Sequence, residues 1–197
     1  MSRRVEALWA ILVAVAASVA TQWQSLRTLT TTVTGDLGDP LYFAWQLAWV
    51  GHAVSQHPTS IVSGMWTTNT FQRAPDNLAY TDVVLGYLPL TWVVPNGQSG
   101  ALAQLNLALL LATVGAALGG YVLARALGSR IPGAYLAGAG FAFAPWRDTQ
   151  VIHINVLSTA GIALSAALLC HGHAWSLRHG WQPERLRARW VVAGWLV

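Results

Sequence analysis

The sequence carries little charge and no lysine. Only 9% of its residues are charged, 54% are hydrophobic, and all 11 residues in the Lys and Arg count are arginines. A soluble domain usually has about 25% charged residues, so this composition indicates a membrane protein. The net charge of +4 is small and scattered along the chain, which argues against the basic face that nucleic-acid binding requires.

Cysteine is almost missing as well. Cys170 is the single cysteine, so an internal disulfide and a cysteine-based zinc site are both excluded. The sequence also contains neither a Gly-x-Ser-x-Gly elbow nor a Gly-Lys phosphate loop. Hydrolase and nucleotidase functions therefore lack support.

Long apolar runs, in contrast, are abundant. About 20 apolar residues cross a hydrocarbon core, and the candidate runs cover 5–22, 101–124, 131–144 (a shorter run that Pro145 ends) and 154–170. We predict an all-α, multi-pass transmembrane helical bundle. It forms a single transmembrane domain over 1–197, as the N-terminal part of a longer protein. A cleavable signal peptide is the alternative interpretation of the first run.

The segment 78–95 is apolar enough to cross, but it contains Asp82 and Pro89. If it crossed, Arg125, Arg130 and the arginine cluster between 178 and 189 would lie outside, whereas loops on the cytoplasmic side collect arginine. We therefore predict that this segment lies along the outer interface or re-enters. The N-terminus is then cytoplasmic in the plasma membrane, and 23–100 is a long first outer loop with interfacial helices.

The outer loop places two acids directly before an aromatic run, in the stretch TGDLGDPLYFAW that starts at Thr34. Asp39 suits the N-cap of a helix and Pro40 suits its first position. The pattern predicts a helix from 40 to about 56, which Pro58 ends. The aromatic side chains of this loop favour headgroup depth in a bilayer.

Several stretches in this order resemble the N-terminal part of GT-C membrane glycosyltransferases. They are a basic N-terminus with one span, the acid-bearing GDLGDPLYFAWQLAW, then ALAQLNLALLLATVGAALGGYVLARALGSR and a short span ending in FAFAP. The resemblance covers nearly the whole chain through short motifs. In that superfamily the first outer loop carries a catalytic carboxylate, and the donor is usually a sugar on a polyprenyl phosphate.

The resemblance implies a cell-envelope transferase. The chain would move a sugar from a polyprenyl-phosphate donor to the hydroxyl of an unidentified acceptor, on the outer face of the membrane. The motif acid is Asp39 in Gly38-Asp39-Pro40, and Asp36 is its competitor as the catalytic residue.

The chemistry gives an independent reason for an acid here. Glycosyl transfer with inversion needs a base that takes the proton of the acceptor hydroxyl, and a positioned carboxylate does this. The alternative role of Asp39 is that of an ordinary N-cap. Asp36 and Asp39 are also candidates for holding a divalent metal, although two acids are too few to specify one.

Three more residues complete the predicted site. Arg147 and His153 lie where the chain is expected to return to the outer side, and they suit a bidentate contact and a hydrogen bond to the lipid phosphate. Asp82 is a candidate because an acid in an apolar stretch must face water or a partner. The alternatives are a headgroup-level turn in which Arg147 and Asp148 take part, and a structural role for His153.

Two other functions compete with the transferase. In a transporter or lipid flippase, charges inside the membrane mark a conduit, but the acids of this sequence lie in the outer loop. A non-catalytic membrane subunit is the other alternative. Gly115, Gly119 and Gly120 predict a face of small residues that lets helices approach closely.

Overall fold

The computed structural model of the protein describes residues 2–70, 74–95 and 97–197. Its described part is all-helical, with 69% helix and no strand. The all-α prediction is thus confirmed. The chain forms two compact units, of which the first comprises Met1–Thr21, Leu111–Thr149 and Leu157–Val197, and the second Gln22–Leu110 and Gln150–Val156. The single transmembrane domain stays a prediction.

The α-helices of the described residues are numbered in chain order. They are α1 (Arg3–Thr21), α2 (Trp23–Arg27), α3 (Asp39–Gln56), α4 (Leu90–Val93), α5 (Gln98–Ala126), α6 (Ile131–Ala142), α7 (Pro145–Thr149), α8 (Ile154–Leu157), α9 (Ala160–Gly172) and α10 (Ala188–Leu196). Short 3-10 helices occupy Pro58–Ile61, Asn77–Tyr80, Leu85–Tyr87 and Pro183–Arg185. The helix predicted from 40 to 56 is α3, and Pro58 follows its end as expected.

Three helical stretches are long and apolar enough to cross a membrane: Arg3–Thr21, Gln98–Ala126 and Ile154–Gly172. They correspond to three of the four predicted runs, and they make this a membrane protein by length and composition. Large apolar side chains of α1 lie exposed, among them Leu8, Trp9 and Leu12. Such an outward apolar face suits contact with lipid.

The fourth predicted run, 131–144, forms a helix that is shorter than the apolar run itself. α6 has 12 residues, a length of about 18 Å, and the hydrocarbon core is about 30 Å thick. Pro132 is the second residue of this helix, and α7 starts separately at Pro145. The run is therefore not among the three candidate spans found in the described residues.

The segment 78–95 contains no long helix. It is divided into the 3-10 turns Asn77–Tyr80 and Leu85–Tyr87 and the single turn of α4. Asp82 lies between the two 3-10 turns, and Pro89 immediately precedes α4. This agrees with the prediction that the segment does not cross as a helix.

Small residues bring the helices of the first unit close together. A Cβ built on Gly138 of α6 would lie 2.6 Å from the carbonyl oxygen of Ala117 in α5. A Cβ on Gly119 would lie 3.0 Å from the Cβ of Ala163 in α9. α5 thus packs closely against both helices, as its glycines and alanines predict.

One ion pair joins α1 to α5 near their ends. Arg125 Nε donates to Glu6 Oε1 at 2.6 Å, and the Tyr121 hydroxyl donates to the same oxygen at 2.8 Å. The Glu6 side chain is 16% exposed. An acid in an apolar helix needs such partners because an unpaired charge there is costly.

The second unit has its own core, built around α3. Val50, Met65, Leu78 and Leu88 are buried together, and Trp49 Nε1 donates to the Met65 carbonyl at 2.9 Å. The segment between α1 and α5, which the sequence predicts to be an outer loop, is therefore a folded structure. Its packing fixes α3, which begins at the acids of interest.

Candidate functional site

The turn before α3 separates the two acids into different roles. Asp36 Oδ1 accepts a hydrogen bond from the Gly38 amide at 2.8 Å, which is an Asx-turn. The N-cap of α3 is Gly38, and Asp39 is the first helical residue. The prediction of Asp39 as N-cap is thus wrong: its side chain makes no capping bond, because the turn made by Asp36 starts the helix one residue earlier than expected.

The carboxylate of Asp39 pairs instead with His153. His153 Nε2 lies 2.9 Å from Asp39 Oδ2, and the side chains are 33% and 55% exposed, respectively. Within the described residues no hydrogen bond reaches Asp39 Oδ1. The acid is therefore held at one oxygen and open to solvent at more than half of its surface.

The ring of His153 is held on both sides. Its Nδ1 lies 3.0 Å from Gln150 Oε1, and its backbone amide donates to the Gln150 carbonyl at 2.8 Å. An imidazolium donates from both ring nitrogens. A neutral ring donates from Nε2 to Asp39 and accepts at Nδ1 from a Gln150 amide turned by 180°. In both states the Asp39 carboxylate accepts an N–H.

Asp82 is held by the same segment two residues further on. Asn155 Nδ2 donates to Asp82 Oδ2 at 2.8 Å, and the Asp82 side chain is exposed. Immediately before His153, Ile152 packs against Gly35, where an added Cβ would lie 2.3 Å from Ile152 Cγ2. The segment Gln150–Val156 thus docks on the segment between α1 and α5 through His153, Ile152 and Asn155.

A buried glutamine connects α3 to the residues beside Asp82. Gln46 lies seven residues after Asp39, two helical turns along the same side of α3, and is fully buried. Its Nε2 donates to Thr81 Oγ1 at 3.2 Å, and Thr81 donates to the Leu78 carbonyl at 2.9 Å. Sequence reasoning missed Gln46. The available signal was its position among apolar residues of α3, which indicates burial but names no partner.

Arg147 belongs to the first compact unit, and its guanidinium is engaged there. The residue is 5% exposed. Its Nη1 donates to Thr159 Oγ1 at 3.1 Å and its Nη2 to the Leu157 carbonyl at 2.9 Å. Arg147 therefore braces α7 against the turn that leads into α9. Phosphate binding by Arg147 stays a prediction.

The structure does not assemble a divalent-cation site around the predicted acids within the described residues. One oxygen of Asp36 is used by the Gly38 amide and one oxygen of Asp39 by His153. In the described part of the chain, no group of three or more His, Cys, Asp or Glu residues could hold a metal ion. Two carboxylates alone do not specify a divalent cation, and we derive no step through a metal.

Comparisons with known proteins assign no role to the residues of this site, so they are described by their contacts alone. Asp39 contacts His153, and Asn155 donates to Asp82. Asp36 closes the turn that precedes α3. The resemblance to GT-C glycosyltransferases stays a prediction that these contacts neither require nor contradict. No protein-family model, no curated protein and no solved structure matches this chain.

Proposed function

We propose that this chain is part of a membrane glycosyltransferase. It moves a sugar from a polyprenyl-phosphate donor to an acceptor hydroxyl on the outer face of the plasma membrane. The observation that carries the proposal is the environment of the Asp39 carboxylate. It does not cap α3, it contacts His153, and its side chain is more than half exposed. A base that meets a diffusing acceptor needs this combination of fixed geometry and access.

In the proposed reaction, Asp39 takes the proton of the acceptor hydroxyl. The acceptor oxygen forms a bond to the anomeric carbon while the bond from that carbon to the phosphate oxygen breaks. Polyprenyl phosphate leaves with the electron pair, and the configuration of the sugar inverts. His153 keeps the carboxylate in place through Oδ2. The proposed step does not depend on Arg147, whose Nη1 and Nη2 donate to oxygens of its own unit.

The contact between Asp39 and His153 also supports the proposed topology. Because the two side chains touch, they lie on the same side of any membrane. If α5 crosses, the chain between Ala126 and His153 must therefore cross back. Four crossings leave Arg125, Arg130 and the later arginines on the side of the N-terminus, which the arginine bias makes cytoplasmic.

The location of the acids favours an enzyme over a transporter. Asp36, Asp39 and Asp82 all lie outside the three candidate spans. The acid inside a candidate span, Glu6, bonds to Arg125 and Tyr121. A conduit needs polar groups along its path through the membrane, whereas these carboxylates are grouped in the outer loop.

The test is transfer from a synthetic polyprenyl-phosphate sugar by the purified full-length protein. Asp39→Asn should lower the transfer rate by about 10²–10⁴-fold, because loss of a general base has effects of that size. The elution profile in detergent should stay unchanged.

The matched control is Asp36→Asn, which keeps an Oδ1 acceptor for the Gly38 amide and should retain transfer. Full transfer by Asp39→Asn would exclude Asp39 as the base. Loss of transfer in Asp36→Asn alone would assign the base to Asp36.

A further inference from the structure

An apolar groove of about 440 Å³ lies on the first unit. Its lining residues are Leu169, Cys170, His173, Trp175 and Trp181. Ligand sites commonly have volumes of about 300–1,000 Å³. The groove, called the 169–181 groove below, plays no part in the proposed transfer.

A tight turn holds the two tryptophans of the groove. Ser176 and Gly180 exchange backbone hydrogen bonds at 3.2 and 2.9 Å, so Trp175 and Trp181 flank a closed turn. The Trp175 amide donates to the Cys170 carbonyl at 2.8 Å. These bonds tie the aromatic wall to the end of α9, and the groove is therefore preformed.

Four exposed arginines lie in or shortly after the stretch that lines this groove: Arg178, Arg185, Arg187 and Arg189. In the part of the chain that the structure describes, none of them forms a salt bridge with a carboxylate. The Arg187 amide donates to the Gly172 carbonyl, and its Nη1 bonds to His171 Nε2, both at 2.8 Å. Positive charge thus adjoins the apolar walls at Arg178, in the turn between the tryptophans, and at Arg187, bonded to the end of α9, and Glu184 is the one acid of this stretch.

The groove lies at the end of a candidate span. α9 closes the stretch Ile154–Gly172, and Cys170 and His173 flank that end. Since a spanning helix ends where lipid headgroups begin, the groove is at headgroup depth. Tryptophan and arginine are the residues that anchor at this depth, and clusters of arginine there attract anionic lipids.

We propose that the 169–181 groove binds an anionic glycerophospholipid of the cytoplasmic leaflet. Its acyl chain packs on Leu169, Trp175 and Trp181, and its phosphate pairs with the arginines, of which Arg178 lies in the turn between the tryptophans. A zwitterionic lipid has the same chains but brings a cation to the arginines. A free phosphate has no acyl chain for the apolar wall.

Native mass spectrometry of the delipidated full-length protein tests this with equal amounts of phosphatidylglycerol and phosphatidylcholine. Phosphatidylglycerol should bind preferentially. Arg178→Gln should weaken its binding about fivefold, because one arginine near an anionic surface contributes about 1 kcal/mol and 1.4 kcal/mol is tenfold. Arg27→Gln is the matched control, since Arg27 is also exposed and lies in the other unit.

A second readout uses Cys170, the single cysteine, as a reporter in the groove wall. Phosphatidylglycerol in nanodiscs should slow maleimide labelling of Cys170, and phosphatidylcholine nanodiscs should not. Equal binding of both lipids, equal effects of Arg178→Gln and Arg27→Gln, or labelling that is the same in both nanodiscs would each overturn the proposal. None of these measurements depends on sugar transfer, so they leave the proposed enzyme untouched.

Discussion

At the scale of single residues, two chemically identical acids have different environments. Asp36 uses a carboxylate oxygen to close the turn before α3, whereas Asp39 receives the His153 ring and keeps more than half of its surface exposed. Each acid uses one carboxylate oxygen in its hydrogen bond, but only Asp39 is held by a histidine from a distant segment of the chain. The local hydrogen bonds therefore favour Asp39 as the base.

His153 gives the sharpest residue-scale prediction. His153→Ala should lower kcat by about 10–100-fold and leave KM for the lipid donor nearly unchanged, because a hydrogen bond to a charged group contributes about 1.5–3 kcal/mol and here it positions the base. Steady-state kinetics with the synthetic donor measure both constants.

The double variant Asp39→Asn with His153→Ala should be no slower than Asp39→Asn alone, since both changes remove the same pair. His179→Ala, on an exposed histidine of the first unit, is the control and should behave like the unchanged protein. A raised KM with an unchanged kcat in His153→Ala would instead indicate that His153 binds the donor phosphate.

At the scale of elements, the segment Gln150–Val156 organises the site. It belongs to the second unit although it follows α7 of the first, and it contacts the segment between α1 and α5 at Gly35, Asp39 and Asp82. Only a residue without a side chain allows the close approach of Ile152. The φ angle of +95° at Gly35 also lies in the region that favours glycine.

Gly35→Ala should destabilise the second unit by about 1–3 kcal/mol, the usual cost of a strained backbone conformation. Hydrogen exchange should show faster opening of 150–156, and the thermal midpoint should fall. Gly86→Ala is the matched control, because a Cβ at Gly86 would meet nothing within 4 Å. Equal midpoints for the two variants would show that the contact at Gly35 contributes nothing.

The sequence was informative where a signal is local. Run length predicted three candidate spans, and Pro40 with Pro58 predicted the extent of α3. The pairing of Asp39 with His153 was not predictable, since nothing in a single sequence connects two residues so far apart. The same holds for the pair of Glu6 and Arg125. The burial of Arg147 was missed because a long basic side chain at a span boundary suits snorkelling equally well.

At the scale of the whole molecule, the number of crossings is the decisive property. Three candidate spans alone would leave position 178 on the side of Asp39, whereas four crossings place it on the opposite side. The fourth crossing would be made by the stretch from α6 to α7, in which α6 alone has 12 residues. The contact between Asp39 and His153 supports four crossings.

Cysteine labelling in whole cells distinguishes the two arrangements. In a Cys170→Ser background, Leu37→Cys should react with a membrane-impermeant maleimide, because Leu37 is 77% exposed beside Asp36. Arg178→Cys should react only after the cells are permeabilised. Labelling of both positions in intact cells would contradict the proposed topology, and labelling of position 37 only after permeabilisation would place the acids in the cytosol.

The docking of Gln150–Val156 on the segment between α1 and α5 also sets an order of events during synthesis. A ribosome makes Asp39 first and His153 much later, after α5, α6 and α7. Until then a growing chain has the carboxylate without the ring that fixes it. The candidate site is therefore completed late, only when about three quarters of this sequence has been made.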